Sequence, residues 1–309
     1  MNALSIFLPL CLLLLLAEGV LLLWLALRVG RGDDTDSLRH TTARLYRYAT
    51  DSRLPPPPRT ARARQQMAES LFSLTRHLSL LSPSERERLG RRCSLTYHLV
   101  RRAERGGAFA TADALQLLSV LPLSDDYAER IARLSPTEPL AQLYRLLILV
   151  CHSPDRVAEI LGGSLLPAYL VPHLVARLEE CRVEIPCRSL FATRQPLPLL
   201  VALRVVARYE LADYEEEVFG ALTLPSGEVR FAALTALAKL GATVDRRIVE
   251  ATSAMSLDER RGVMRLFLRE GYSARALHLL DEAEAAVGSP LANYAARRLS
   301  LRKRNLIKI

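Results

Sequence analysis

Residues 225–241 read PSGEVRFAALTALAKLG, and their spacing decides the class of the fold. A turn from Pro225 to Gly227 opens the stretch. Val229, Ala233, Leu234, Leu237 and Leu240 then recur at steps of three and four, which lines one stripe of a helix. Gly241 follows the last apolar residue, where a left-handed C-terminal cap belongs. The stretch has echoes on both sides. Leu203, Val206, Ala207 and Arg208 correspond to Leu234, Leu237, Ala238 and Lys239 at an offset of 31. Leu237, Ala238, Lys239 and Gly241 correspond in turn to Phe267, Leu268, Arg269 and Gly271 at an offset of 30. Periods of this size mark stacked helix pairs, each unable to bury its apolar face alone. Three pairs are expected, over 196–222, 226–252 and 256–287.

The pair Val229-Arg230, followed by Ala233-x-x-Ala236-Leu237-x-x-Leu240-Gly241, resembles the first half of a HEAT-type repeat, including its phycobilisome-lyase-like variety. The resemblance implies a right-handed α-solenoid of helix pairs and no particular reaction. It is specific only over residues 196–288. Some solenoids of the phycobilisome-lyase-like variety handle tetrapyrroles. No residue beyond the repeat points that way here, and no cofactor is expected.

The 309 residues can bury a sizeable core. Lysine plus arginine number 42 against 33 acids, a net charge of +9, and only Lys239, Lys303 and Lys308 are lysines. The location of the excess matters more than its sum. Residues 28–64 hold nine arginines and four aspartates, and residues 297–309 hold six cations and no acid. The body between them is close to neutral. A solenoid gripping a nucleic-acid backbone needs its positive charge along the body, so a nucleic-acid partner is not expected.

Residues 4–27, LSIFLPLCLLLLLAEGVLLLWLAL, carry one ionisable side chain, Glu18. That length spans a hydrocarbon core, which needs roughly 20 apolar residues. A signal peptide would need a basic start and a small-x-small cleavage site, and neither is present. Leu10 is too large for the residue preceding a lipoprotein cysteine at Cys11. An uncleaved anchor is expected. Arg28, Arg31, Arg39, Arg44 and Arg47 all follow the span, which places the N-terminus outside and the body at the cytoplasmic face of a bacterial inner membrane. A carboxylate at mid-membrane costs about 3 kcal/mol on insertion scales. Glu18 is therefore either a contact with an intramembrane partner, with Gly19 admitting a neighbouring helix, or a protonated residue whose cost the surrounding leucines carry.

The domain organisation follows. An anchor (1–30) leads to a basic juxtamembrane helix and a spacer built on Pro55-Pro56-Pro57-Pro58 (31–59). An irregular helical region (60–195), the HEAT-like repeats (196–288) and a basic C-terminal segment (289–309) come next. Ser82-Pro83-Ser84-Glu85 and Ser135-Pro136-Thr137-Glu138 both read as capping serine, first-turn proline and third-position glutamate. Ser153-Pro154-Asp155 opens another helix, while Gly106-Gly107, Gly162-Gly163, Gly271 and Gly288 close helices. No stretch alternates as a strand would. In the last segment Arg297, Arg298, Arg302, Lys303, Arg304 and Lys308 are interleaved with leucines and isoleucines, a composition suited to an anionic lipid surface.

The search for chemistry finds no phosphate-cradling glycine loop, nucleophile elbow or HExxH. Cys151 and His152 are adjacent and point about 100° apart on a helix. Cys93 with His98, and Cys181 with Cys187 across Pro186, are poor metal-ligand spacings. Five widely spaced cysteines suit buried thiols in a reducing compartment. Glu215-Glu216-Glu217 reads as a solvated helix face. Neither a metal site nor a catalytic role is expected. Two readings remain: a membrane-anchored scaffold that binds another protein, or an accessory subunit of an integral membrane enzyme or transporter, such as a surface-polysaccharide glycosyltransferase.

Overall fold

The computed structural model describes residues 33–51, 54–78, 81–273 and Leu280. The apolar span 4–27 and the basic segment 289–309 lie outside these residues. Among those described, every regular element is a helix, and no helix is long and apolar enough to cross a membrane. The chain divides into two compact units on either side of Ser124 and Asp125.

The first unit holds α1 (Asp33–Asp51), α2 (Ala61–Leu78), α3 (Pro83–Arg92), α4 (Leu95–Arg105) and α5 (Ala108–Leu118). The prolines 55–58 form the non-helical link between α1 and α2, and Pro55 is buried. α1 packs on α2, which packs in turn on α4 and α5. Leu45 and Tyr48 of α1 are buried, as are Leu71 of α2, Leu99 of α4, and Leu115 and Leu118 of α5. The expected capping box at α3 is present. Ser82 Oγ accepts from the Glu85 backbone N–H at 3.3 Å, and the Glu85 carboxylate accepts from the Ser82 N–H at 2.8 Å. The Ser82 hydroxyl also donates to that carboxylate at 2.7 Å, and this bond first, with the one from the Ser82 N–H second, holds the Glu85 carboxyl below its ordinary range.

The second unit begins with α6 (Asp125–Ala132) and α7 (Pro139–His152). The second expected capping box is absent. Residues 135–138 are a connecting loop, and α7 starts at Pro139 with no side-chain cap, so proline at the first position sets the start alone. Ser153-Pro154-Asp155 leads into a 3₁₀ turn, Pro154–Arg156, before α8 (Val157–Gly162). α9 (Val171–Glu180), α10 (Cys187–Ala192), α11 (Pro196–Tyr209), α12 (Glu215–Ala221), α13 (Gly227–Leu240), α14 (Arg246–Ser253) and α15 (Leu257–Arg269) follow.

The long helices of this unit pack in series: α7 on α9, α9 on α11, α11 on α13 and α13 on α15. The short helices attach to this row, with α10 against α11, α12 against α13 and α14 against α15. α11, α13 and α15 begin at 196, 227 and 257, in step with the offsets of 31 and 30. Equivalent positions have equivalent burial, since Val206, Leu237 and Phe267 are all fully buried.

The helix ends repeat as well. Four of them close with the same bond, from the residue after a left-handed turn back to a carbonyl five residues earlier. The bonds are Val183 N–H to Leu178 O (3.0 Å), Leu211 to Val206 (3.2 Å), Ala242 to Leu237 (3.0 Å) and Tyr272 to Phe267 (3.1 Å). The left-handed residues are Arg182, Glu210, Gly241 and Gly271, with φ of 56°, 52°, 71° and 89°. The cap therefore recurs from α9 onward, earlier than the repeat visible in the sequence. Two of the four positions are occupied by residues with a Cβ, which costs roughly 1–2 kcal/mol in that conformation. Replacing Gly241 with alanine should lower stability by about 1–2 kcal/mol. Glu210→Gly should raise it by up to about 1 kcal/mol, because the relieved strain exceeds the added chain entropy. Thermal denaturation of the two variants checks both signs, and a destabilising Glu210→Gly would show that the cap does not set the cost.

Candidate functional site

The second unit carries a groove of about 470 Å³ built on the long-helix row. Ala168 and Tyr169 from the 3₁₀ turn before α9, with Val171 and Pro172 from its first turn, form one side. Leu200, Leu203, Arg204 and Ala207 of α11 line the floor, and Glu228, Phe231, Ala232 and Thr235 of α13 continue it. Glu259 of α15 marks the far rim. On α11 and on α13 the lining residues are spaced i, i+3, i+4, i+7, the spacing of one helix face. The stripe Ala233, Leu234, Leu237 of α13 is spent on the core, so Phe231 and Ala232 belong to a second apolar face.

The groove is apolar with few polar groups. Tyr169 is 68% exposed and Phe231 38% exposed, large values for aromatic side chains of a packed unit. A Cβ added at Gly262 of α15 would come within 3.3 Å of the Phe231 ring, so this glycine leaves the ring its place. The Thr235 hydroxyl is committed to the Phe231 carbonyl at 2.9 Å. Glu259 is committed as well, accepting from the Ser256 N–H at 2.9 Å in a capping box that opens α15. The hydrogen bonds from Ser256, side chain first and backbone second, hold the Glu259 carboxyl below its ordinary range. Arg204 and Glu228 are both exposed, and neither has a hydrogen bond or ion pair among the described residues. The site thus offers apolar surface with one unspent cation and one unspent anion. It holds no nucleophile paired with a base.

The residues singled out in the sequence fall elsewhere. Glu18 and Gly19, and all six cations from Arg297 to Lys308, lie outside the described residues. His152 turns from Cys151 to Asp125, with Nε2 3.0 Å from Oδ1. Cys93 is buried at the end of α3, while His98 sits on α4 beside Arg64 and Arg102. Burial first, and then those two arginines, push the His98 imidazole below its ordinary range. Arg102 is 2.8 Å from Asp113, which also accepts from Gln65 at 3.1 Å, so this polar cluster ties α2, α4 and α5 together. Within the acidic run, Glu216 pairs with Arg247 at 3.1 Å, and the same guanidinium lies 3.5 Å over the Phe219 ring. No group of three or more potential metal ligands is found among the described residues.

Two cations of α13 are tied to its surroundings. Arg230 is half-buried, donating to the carbonyls of Leu224 (3.4 Å), Pro225 (3.5 Å) and Ala254 (3.5 Å). Lys239 reaches across to Glu270 at 2.8 Å, and Arg208 reaches from α11 to Glu179 of α9 at 2.9 Å. Each of these two pairs bridges the C-terminal ends of neighbouring long helices. The groove itself was missed in the sequence. Its signal is present in hindsight as the spacing of Leu200, Leu203, Arg204 and Ala207, but one helix alone does not tell a second apolar face from a broad core face.

No family model, no curated protein and no solved structure matches the chain. The class defined by the structure is an all-helical protein of two units, the second a row of long helices with a recurring cap and an apolar groove.

Proposed function

We propose that the protein is a membrane-anchored interaction scaffold whose second unit is a HEAT-like, right-handed α-solenoid and whose groove binds a segment of another protein. The observation that carries this reading is the groove. Tyr169 and Phe231 stand in solvent on a face where each helix has already satisfied its core. Such a face suits an apolar anchor of a partner chain, with Arg204 and Glu228 left to pair with charges beside that anchor. The recurring cap and the serial packing of the long helices support the solenoid. The apolar span 4–27 and the arginines after it support an uncleaved anchor with the body at the cytoplasmic face of the inner membrane. α1 carries three of those arginines, Arg39, Arg44 and Arg47, all of them exposed.

A benzophenone amino acid placed at position 231 should crosslink, in intact membranes, to one partner of defined size. The same probe at Tyr209, exposed at the end of α11 and outside the groove, should not. Tyr169→Glu should remove that adduct while leaving the melting temperature unchanged. Equal labelling from both positions, or an adduct that survives Tyr169→Glu, would rule out the groove as the binding surface. Protease added outside intact spheroplasts should leave residues 60–309 uncut, and digestion there would reverse the assigned side.

A further inference from the structure

The long-helix row brings together two cysteines that stand 30 residues apart in the chain. Cys151 is in the last turn of α7, and Cys181 follows the last residue of α9. α7 packs on α9, both cysteines stand at the C-terminal ends of these helices, and their side chains interact there. The other described cysteines are remote from this arrangement in role. Cys93 is in the first unit, and Cys187 is buried in the core of the second. His152 is turned to Asp125, and no third potential metal ligand joins the pair among the described residues.

We propose that Cys151 and Cys181 form an oxidisable dithiol, a modification site that a low-molecular-weight disulfide converts to an intramolecular disulfide bracing one wall of the groove. The two thiols differ in access, and this fixes the order of events. Cys181 is exposed and Cys151 is half-buried. The neighbouring Cys181 side chain, and then burial, push the Cys151 thiol well above the usual thiol range. Cys181 reacts first. Its thiolate attacks one sulfur of the reagent disulfide, RS–SR, whose S–S bond breaks and releases RS⁻. That leaving group takes up the proton given up by Cys181. A mixed disulfide, Cys181–S–SR, remains. Cys151 then loses its proton and attacks the Cys181 sulfur, expelling the second RS⁻, which takes up the Cys151 proton. Two thiols are oxidised by two electrons, and one reagent disulfide is reduced to two RSH.

The closed ring spans residues 151–181 and therefore contains Ala168, Tyr169, Val171 and Pro172, the four residues that form one side of the groove. A crosslink across α7 and α9 restricts this segment in the unfolded chain and holds the two helix ends together in the folded one. The site stands whether or not the groove binds a partner, because its chemistry is read from the isolated protein.

The test uses the full-length protein in detergent, incubated with oxidised glutathione, quenched with acid and digested without reduction. The expected result is one linked peptide pair joining Cys151 to Cys181, with the intact mass lower by two hydrogen atoms. Oxidation should raise the melting temperature by about 5–10 °C, and a reductant should reverse the rise. Cys151→Ser should stop at a stable glutathione adduct on Cys181. Cys181→Ser should leave Cys151 unmodified. Both serine variants should melt, under reducing conditions, within a degree or so of the reduced wild type, as conservative changes at a helix end do. A wild-type protein that accumulates the glutathione adduct on Cys181 would overturn the proposal, because Cys151 would then be out of reach. A disulfide to Cys187, or no reaction at either residue, would overturn it as well.

Discussion

Leu237→Ala lowers the stability of the chain by about 2–5 kcal/mol, the range of buried leucine truncations. Leu237 is fully buried on α13, at the centre of the row between α11 and α15, and its carbonyl also accepts the cap bond from Ala242. Packing there is fixed by three helices at once, so the surroundings have little room to collapse into the space left by the side chain. Lys239 is two residues along and provides the contrast. Its ammonium meets Glu270 at 2.8 Å, but it is about one-third exposed, so solvent screens the pair. Lys239→Ala should cost no more than about 1 kcal/mol. Urea denaturation of the two variants measures the difference. Similar losses from both would mean that the apolar stripe of α13 does not face the core of the row.

On the accessory-subunit reading, Glu18→Leu should abolish copurification of an integral membrane partner in mild detergent while leaving the protein in the membrane fraction. The expectation comes from the sequence, because Glu18 lies outside the described residues. A lone carboxylate midway along residues 4–27 is costly in hydrocarbon, and a partner helix that offers a donor or a cation offsets that cost. Gly19 beside it lets a second helix approach closely. Leu14→Ala, an apolar change in the same span, should alter neither property. This is where the accessory-subunit reading parts from the plain scaffold: a scaffold held by a tether is indifferent to Glu18. A partner that stays bound after Glu18→Leu, or after exchange of the whole span for an unrelated one, leaves the groove as the only recognition surface to test.

The local rules legible in the sequence were those that depend on neighbours in the chain. The stripe of Val229, Ala233, Leu234 and Leu237 marked α13 and its buried face, because a helix of 3.6 residues per turn brings those positions to one side whatever it packs against. Gly241 and Gly271 marked their caps, since glycine is the residue that takes a positive φ without strain. Ser82 with Glu85 marked the start of α3 for the same kind of reason, two bonds closing within four residues. Ser135 with Glu138 carried the same letters and failed. A capping box is one option for such residues, and the loop before α7 takes another, with Pro139 setting the helix start.

Tertiary structure decided what no local rule contains. Arg182 and Glu210 adopt the left-handed cap although nothing in their side chains favours it, and in each case the bond back to a carbonyl five residues earlier closes the turn. Their place in the series became visible only beside Gly241 and Gly271. Cys151 and Cys181 meet only because α7 packs on α9, and the groove exists only where α9, α11, α13 and α15 lie side by side. The physical reason is common to all three. Helix periodicity and capping are set by interactions within a few residues, whereas which helix faces which depends on burying all the apolar stripes together. By itself the sequence determined an all-helical chain with a repeat of 30–31 residues over its later part; the packed row alone decided which residues were left over to line the groove.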